Sequence, residues 1–101
     1  MAHEVTLDGK KYLYRFDMGT LLNYEEFSDN ISKELQTPRR MSMVMHYACL
    51  LDNEDFDMTF PEFCRAVNTA EVAEALAEAN AEEVKRWQAR NQPRSGSEKK
   101  K

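Results

Sequence analysis

The chain has 101 residues, enough for one domain around one modest hydrophobic core. It is 42% hydrophobic and 32% charged, with only 3 Gly and 3 Pro, which excludes a loop-rich or disordered chain. The net charge of −4 divides unevenly, −10 over residues 1–84 and +6 over residues 85–101, so the expected folded part repels phosphate and nucleic-acid binding by it is not expected.

No apolar run approaches the roughly 20 residues that a membrane helix needs. Met1-Ala2-His3-Glu4 lacks the basic-then-apolar order of a signal peptide. The reading is a soluble chain without a membrane partner, kept in the cytoplasm. Cys49 and Cys64 sit among apolar neighbours and read as reduced, buried thiols.

In chain order, Val5-Thr6-Leu7 alternates and is followed by Asp8-Gly9, the dipeptide of tight hairpin turns. Lys11–Phe16 then sets Tyr12, Tyr14 and Phe16 on one strand face and Lys11, Leu13 and Arg15 on the other. Residues 4–16 are expected to form a β-hairpin. A lone hairpin is marginal in water, so helices must cover its aromatic face or another chain must pair with its edges.

Asp17 suits an N-cap. Met18, Leu21, Leu22, Phe27, Ile31 and Leu35 recur at helical steps and predict a buried stripe, with Tyr24 widening it. Ser28-Asp29-Asn30 is polar and predicts a break, leaving residues 30–36 as a short second piece. Thr37-Pro38 reads as N-cap and first helical position. Met41, Val44, Met45, Ala48 and Leu51 form the next stripe, and Met43, Tyr47 and Leu50 add apolar residues off it, so this helix is expected to be central.

Residues 52–57 form an acidic loop. Thr59-Phe60-Pro61-Glu62 matches a capping box, and Phe60, Phe63, Cys64 and Val67 form the buried side of a short helix. Asn68-Thr69 caps a longer, alanine-rich helix with a stripe of Val72, Ala73, Leu76, Ala79 or Asn80, Val84 and Trp87. Its other faces hold Glu71, Glu74, Glu78, Glu82 and Glu83. Pro93 stops it, and residues 91–101 are expected to be a disordered basic tail. The fold class is therefore α+β: one domain over residues 1–90, a hairpin followed by about four helices.

Tests for chemistry point away from an enzyme. The acidic loop fails every register of a calcium-binding loop, because Phe, Asp, Cys or Ala falls where the turn glycine or the bidentate glutamate belongs. His46 and Cys49 share a helix face but lack the paired ligands of a zinc site. There is no phosphate-binding glycine loop and no nucleophile elbow. No catalytic, metal-ligating or cofactor-binding residue is expected.

The run Gly9–Phe27, with Arg15-Phe16, Met18-Gly19 and Tyr24-Glu25-Glu26-Phe27, resembles the N-terminal region of the tail assembly chaperones of long-tailed bacteriophages. The likeness extends by layout over about residues 4–88: a middle apolar helix, an acidic turn, a Thr-led short helix and an Ala/Glu/Leu helix. The chain departs from the family pattern in having Ser28-Asp29-Asn30 where a glycine usually follows the Glu-Glu pair.

The resemblance implies a protein that coats the long, helical tape measure protein before the tail tube polymerises, with the tail tube protein as a second partner. It also implies absence from the finished virion. The middle helix has more apolar residues than one buried stripe requires, which places the expected partner surface at Tyr24, Phe27, Met41, Met43, Tyr47 and Leu50. Two other readings stand beside it: a structural tail component or adaptor retained in the particle, and a small helical sensor regulated by calcium or a partner. Related chaperones are often made in two lengths, and Lys99-Lys100-Lys101 is read either as a ribosomal slippage junction or as a solubilising end.

Overall fold

The computed structural model describes residues 3–91. The chain begins with strand β1 (His3–Leu7) and strand β2 (Lys10–Tyr14), paired antiparallel in a register running from His3 opposite Tyr14 to Leu7 opposite Lys10. Asp8 (φ 51°) and Gly9 (φ 81°) both take positive φ, as a two-residue turn matched to the strand twist requires. Val5, Leu7, Tyr12 and Tyr14 all lie on one face and are buried, and Phe16 continues the alternation.

Four helices follow: α1 (Met18–Asp29), α2 (Pro38–Leu50), α3 (Phe60–Ala66) and α4 (Ala70–Arg90). A 3₁₀ turn at Lys33–Leu35 stands between α1 and α2, and Gln36 Nε2 braces it by donating to the carbonyls of Ser28 and Ile31 at 3.2 and 2.9 Å. Each helix starts at an anticipated cap. Asp17, Thr37, Thr59 and Thr69 accept from backbone N–H groups three residues on, and the Thr59–Glu62 exchange is complete in both directions.

The layering answers the problem of the lone hairpin. Helix α4 packs on both strands, chiefly on β1, while α2 packs on β2 and also holds α1 and α3. Leu7, Tyr14, Val44, Leu50, Phe63 and Leu76 form the closed centre. Tyr47 of α2 anchors an aromatic cluster: its ring lies 5.1 Å from Phe27, 5.6 Å from Phe56, 5.4 Å from Phe60 and 5.6 Å from Phe63, and its hydroxyl donates to the Met58 carbonyl at 2.7 Å. Edge-on aromatic pairs of this kind contribute about 0.5–1.5 kcal/mol each beyond the area they bury.

The acidic loop has a structural job. Asn53 accepts from the Leu13 N–H at 2.9 Å and donates to the Leu13 and Leu50 carbonyls at 2.8 and 2.9 Å. Arg15 N–H donates to the Cys49 carbonyl at 3.0 Å. The outward-facing polar groups of β2 at Leu13 are therefore occupied from within the chain, which blunts a strand edge that otherwise templates association.

Three expectations are corrected. The stripe of α1 holds only in part: Leu21 and Phe27 pack against the core and Tyr24 is half-buried, but the fully buried residue is Thr20, while Met18 and Leu22 are each 58% exposed and Leu35 is 49% exposed. The capping hydroxyl is the cause, because Thr20 Oγ1 must reach both the Asp17 cap and the Arg15 carbonyl (3.1 Å), and this orients the helix. On α4, Glu83 is buried at 4% exposure and Ala73 is exposed, the reverse of the expected assignment. Cys64 is half-buried, unlike the buried Cys49, and both thiols are free. Of the expected tail, residues 91–101, Asn91 is instead the C-cap of α4, its N–H donating to the Trp87 carbonyl, and residues 92–101, Pro93 among them, lie outside the described residues.

Candidate functional site

The six residues singled out as a partner surface separate in the structure. Tyr47 and Leu50 lie in the core, at 5% and 0% exposure, and present no surface in this conformation. Phe27 is half-buried and stacks edge-on against Tyr47. Tyr24, Met41 and Met43 are half-buried. Of the six, Met43 lines two open grooves: one between α2 and α3, with Arg40, Phe60 and Cys64, and one between α2 and α4, with His46 and Leu76.

The apolar surface that remains outside the core lies elsewhere. Met18 and Leu22 are one turn apart on α1, and with Glu25 they occupy the side opposite Thr20 and Phe27. Ala73 and Ala77 of α4 face the α2/α4 groove and are exposed. Sequence periodicity assigned Met18, Leu22 and Ala73 to the interior. The available signal was Thr20, a capping residue whose side chain must point inward, and the small size of residues 73 and 77 beside Leu76.

Beneath these surfaces runs a buried polar chain. The Tyr14 hydroxyl lies 2.7 Å from Nδ1 of His46 and accepts from the Asn80 side-chain amide at 2.9 Å. Burial pushes the Tyr14 phenol well above its ordinary range and holds the His46 imidazole below its own. Neutral His46 with its proton on Nε2 accepts the Tyr14 proton through Nδ1, an assignment inferred from the bonding pattern. Burial also pushes the neighbouring Cys49 thiol up to about 12, which disfavours its thiolate. The cluster satisfies the buried Tyr14 hydroxyl with partners from two helices.

A second polar feature lies where α4 crosses β1. Glu83 Oε2 stands 3.5 Å from Arg86 Nη1, and neither atom has a hydrogen-bond partner among the described residues. They border an open cleft that Arg15 and Arg90 also line. Among the described residues no three His, Cys, Asp or Glu side chains gather into a group that could hold a metal ion. No described helix is long and apolar enough to cross a membrane.

The site thus defines a class in physical terms: a hairpin-and-helix domain with a packed core and apolar side chains left at the surface of its helices. Comparison with protein-family models, curated proteins and solved structures finds no match to this chain.

Proposed function

We infer that this chain is an adaptor that binds the tape measure protein during bacteriophage tail morphogenesis, a tail assembly chaperone working in the bacterial host cytoplasm and absent from the finished virion. The tail tube protein is its second partner. The observation that carries the reading is the apolar helix surface outside a completed core: Met18 and Leu22 on α1, and Met43 between two grooves. Such surface on a small domain marks an interaction site. Methionine suits it, because an unbranched, polarisable side chain adapts to a varied partner. The acidic body keeps a complex with an aggregation-prone partner dispersed. The likeness of Gly9–Phe27 to the chaperone family supplies the identity of that partner.

The test is co-expression with the tape measure protein of the same genome. Co-purification, with the partner insoluble when expressed alone, supports the reading. Recovery of this chain from purified virions by mass spectrometry would instead assign it to the particle.

A further inference from the structure

Helices α2 and α4 both pack on the hairpin, and residues of the two line an open groove of about 430 Å³. We propose that this groove seats a single amphipathic helix of a partner protein, and that the partner helix carries lysine or arginine along the flank facing α4. The proposal rests on the adaptor reading and adds the place and chemistry of the contact.

Shape is the first argument. On one side α2 presents Arg39, Met43 and His46, at i, i+4 and i+7. On the other α4 presents Ala73, Leu76 and Ala77, and Val67 closes one end. Ala73 and Ala77 are exposed and carry only methyl groups, so a third helix can approach α4 closely. Met43 and Leu76 then meet apolar anchors spaced three and four residues apart, the pattern of helix-in-groove recognition.

Charge selects which helix. One residue on from Ala73 and Ala77, Glu74 and Glu78 stand exposed on the outer flank of α4, a step of about 100° from those alanines and about 160° from the buried Leu76. Arg39 is the charge on the α2 side. None of the three forms an ion pair among the described residues. The α4 wall therefore favours a basic flank and repels an acidic one. A second copy of this chain does not match. Its own helix with exposed apolar side chains, α1, carries Glu25, Glu26 and Asp29 and no lysine or arginine, and would set carboxylates against Glu74 and Glu78.

The experiment uses the full chain and two synthetic 18-residue helical peptides with the same leucine face. One carries lysine along one flank and glutamine along the other; the second replaces those lysines with glutamate. Binding is followed by calorimetry and by methyl NMR shifts at Met43 and Ala77. The lysine peptide is expected to bind at least tenfold tighter than the glutamate peptide. Ala77→Trp, at an exposed position, should weaken it tenfold or more with an unchanged circular dichroism spectrum. Glu74→Lys combined with Glu78→Lys should reverse the preference between peptides.

Equal binding of the two peptides, or indifference to Ala77→Trp, overturns the proposal. Concentration-dependent dimerisation abolished by Ala77→Trp also overturns it, by assigning the groove to a second copy. Undiminished capture of the tape measure protein by Ala77→Trp refutes the groove and leaves the adaptor reading standing. Failure of the wild-type chain to capture that protein, with the peptide preference intact, refutes the adaptor reading and leaves the groove standing.

Discussion

The hydroxyl of Tyr14, on the hairpin, meets Nδ1 of His46, on the central helix, at 2.7 Å in a contact closed to solvent. Tyr14 is fully buried, and Asn80 of α4 bonds the same hydroxyl, so one oxygen ties together three elements far apart in the chain. A buried polar group of this kind is tolerated because it is bonded, and it specifies one docking of helices on hairpin.

That contact makes stability depend on pH. Burial lowers the His46 pKa in the folded state below the ordinary 6.5, so the unfolded chain binds the extra proton more readily. The contribution is fully present above about pH 6.5 and is lost as pH falls through the folded value. Urea midpoints measured from pH 8 to pH 4.5 should decline in that window. His46→Gln, which can still accept from Tyr14, should flatten this part of the slope. An identical slope in the variant would remove His46 as its cause.

The two thiols should differ in reactivity. Cys49 is 1% exposed with its pKa pushed up to about 12, whereas Cys64 is half-buried and only its burial, opposed by nearby Arg40, raises its pKa. Titration of the native protein with a chromophoric disulfide at pH 8 should label one thiol per chain, slowly, and denaturation should release the second. Cys64→Ser should abolish the native reaction. Fast labelling of both thiols would contradict the core packing described.

Substitutions should separate core from surface. Leu50→Ala removes a fully buried side chain between α2 and the hairpin and should destabilise by about 2–5 kcal/mol. Leu22→Ser, at 58% exposure, should change stability by no more than about 0.5 kcal/mol. Chemical denaturation checks both. A large loss from Leu22→Ser would mean that α1 packs by its other side.

Glu83 and Arg86 should respond unequally to mutation. Arg86→Ala leaves the buried carboxylate without its cation and should cost about 1–3 kcal/mol, moderated because the Arg86 side chain is 37% exposed and water can reach it. Glu83→Leu replaces the buried charge by apolar volume against β1 and should be neutral or stabilising. Thermal melts at pH 7 would show it; a larger loss from Glu83→Leu than from Arg86→Ala would contradict this account.

Much of the architecture was written locally. Asp8-Gly9 tolerates positive φ, alternation through Tyr12, Tyr14 and Phe16 sorts one face from the other, and Asp17, Thr37, Thr59 and Thr69 supply caps three residues ahead of the N–H groups they satisfy. These features act within a few residues of chain, so reading them requires no knowledge of what lies across the fold. The same holds for the central place of α2, which has more apolar residues than one buried stripe requires, although Arg39, Arg40 and Ser42 keep its first turns exposed.

Which side of a helix faces inward is a different kind of question where two sides are apolar. Helix α1 carries apolar residues on both, and the choice fell to Thr20, whose hydroxyl reaches the Arg15 carbonyl and leaves Met18 and Leu22 in solvent. On α4, Glu83 is buried where the helix packs on β1, and Ala73 and Ala77 are exposed because they line an open groove shared with α2. Residues 40 apart in sequence, such as Asn53 and Leu13, meet only after that packing is complete. Tyr47 and Leu50, expected at a partner surface, lie in the core for the same reason: an excess of apolar residues on α2 says that the helix is surrounded, and only the arrangement of its neighbours says by what.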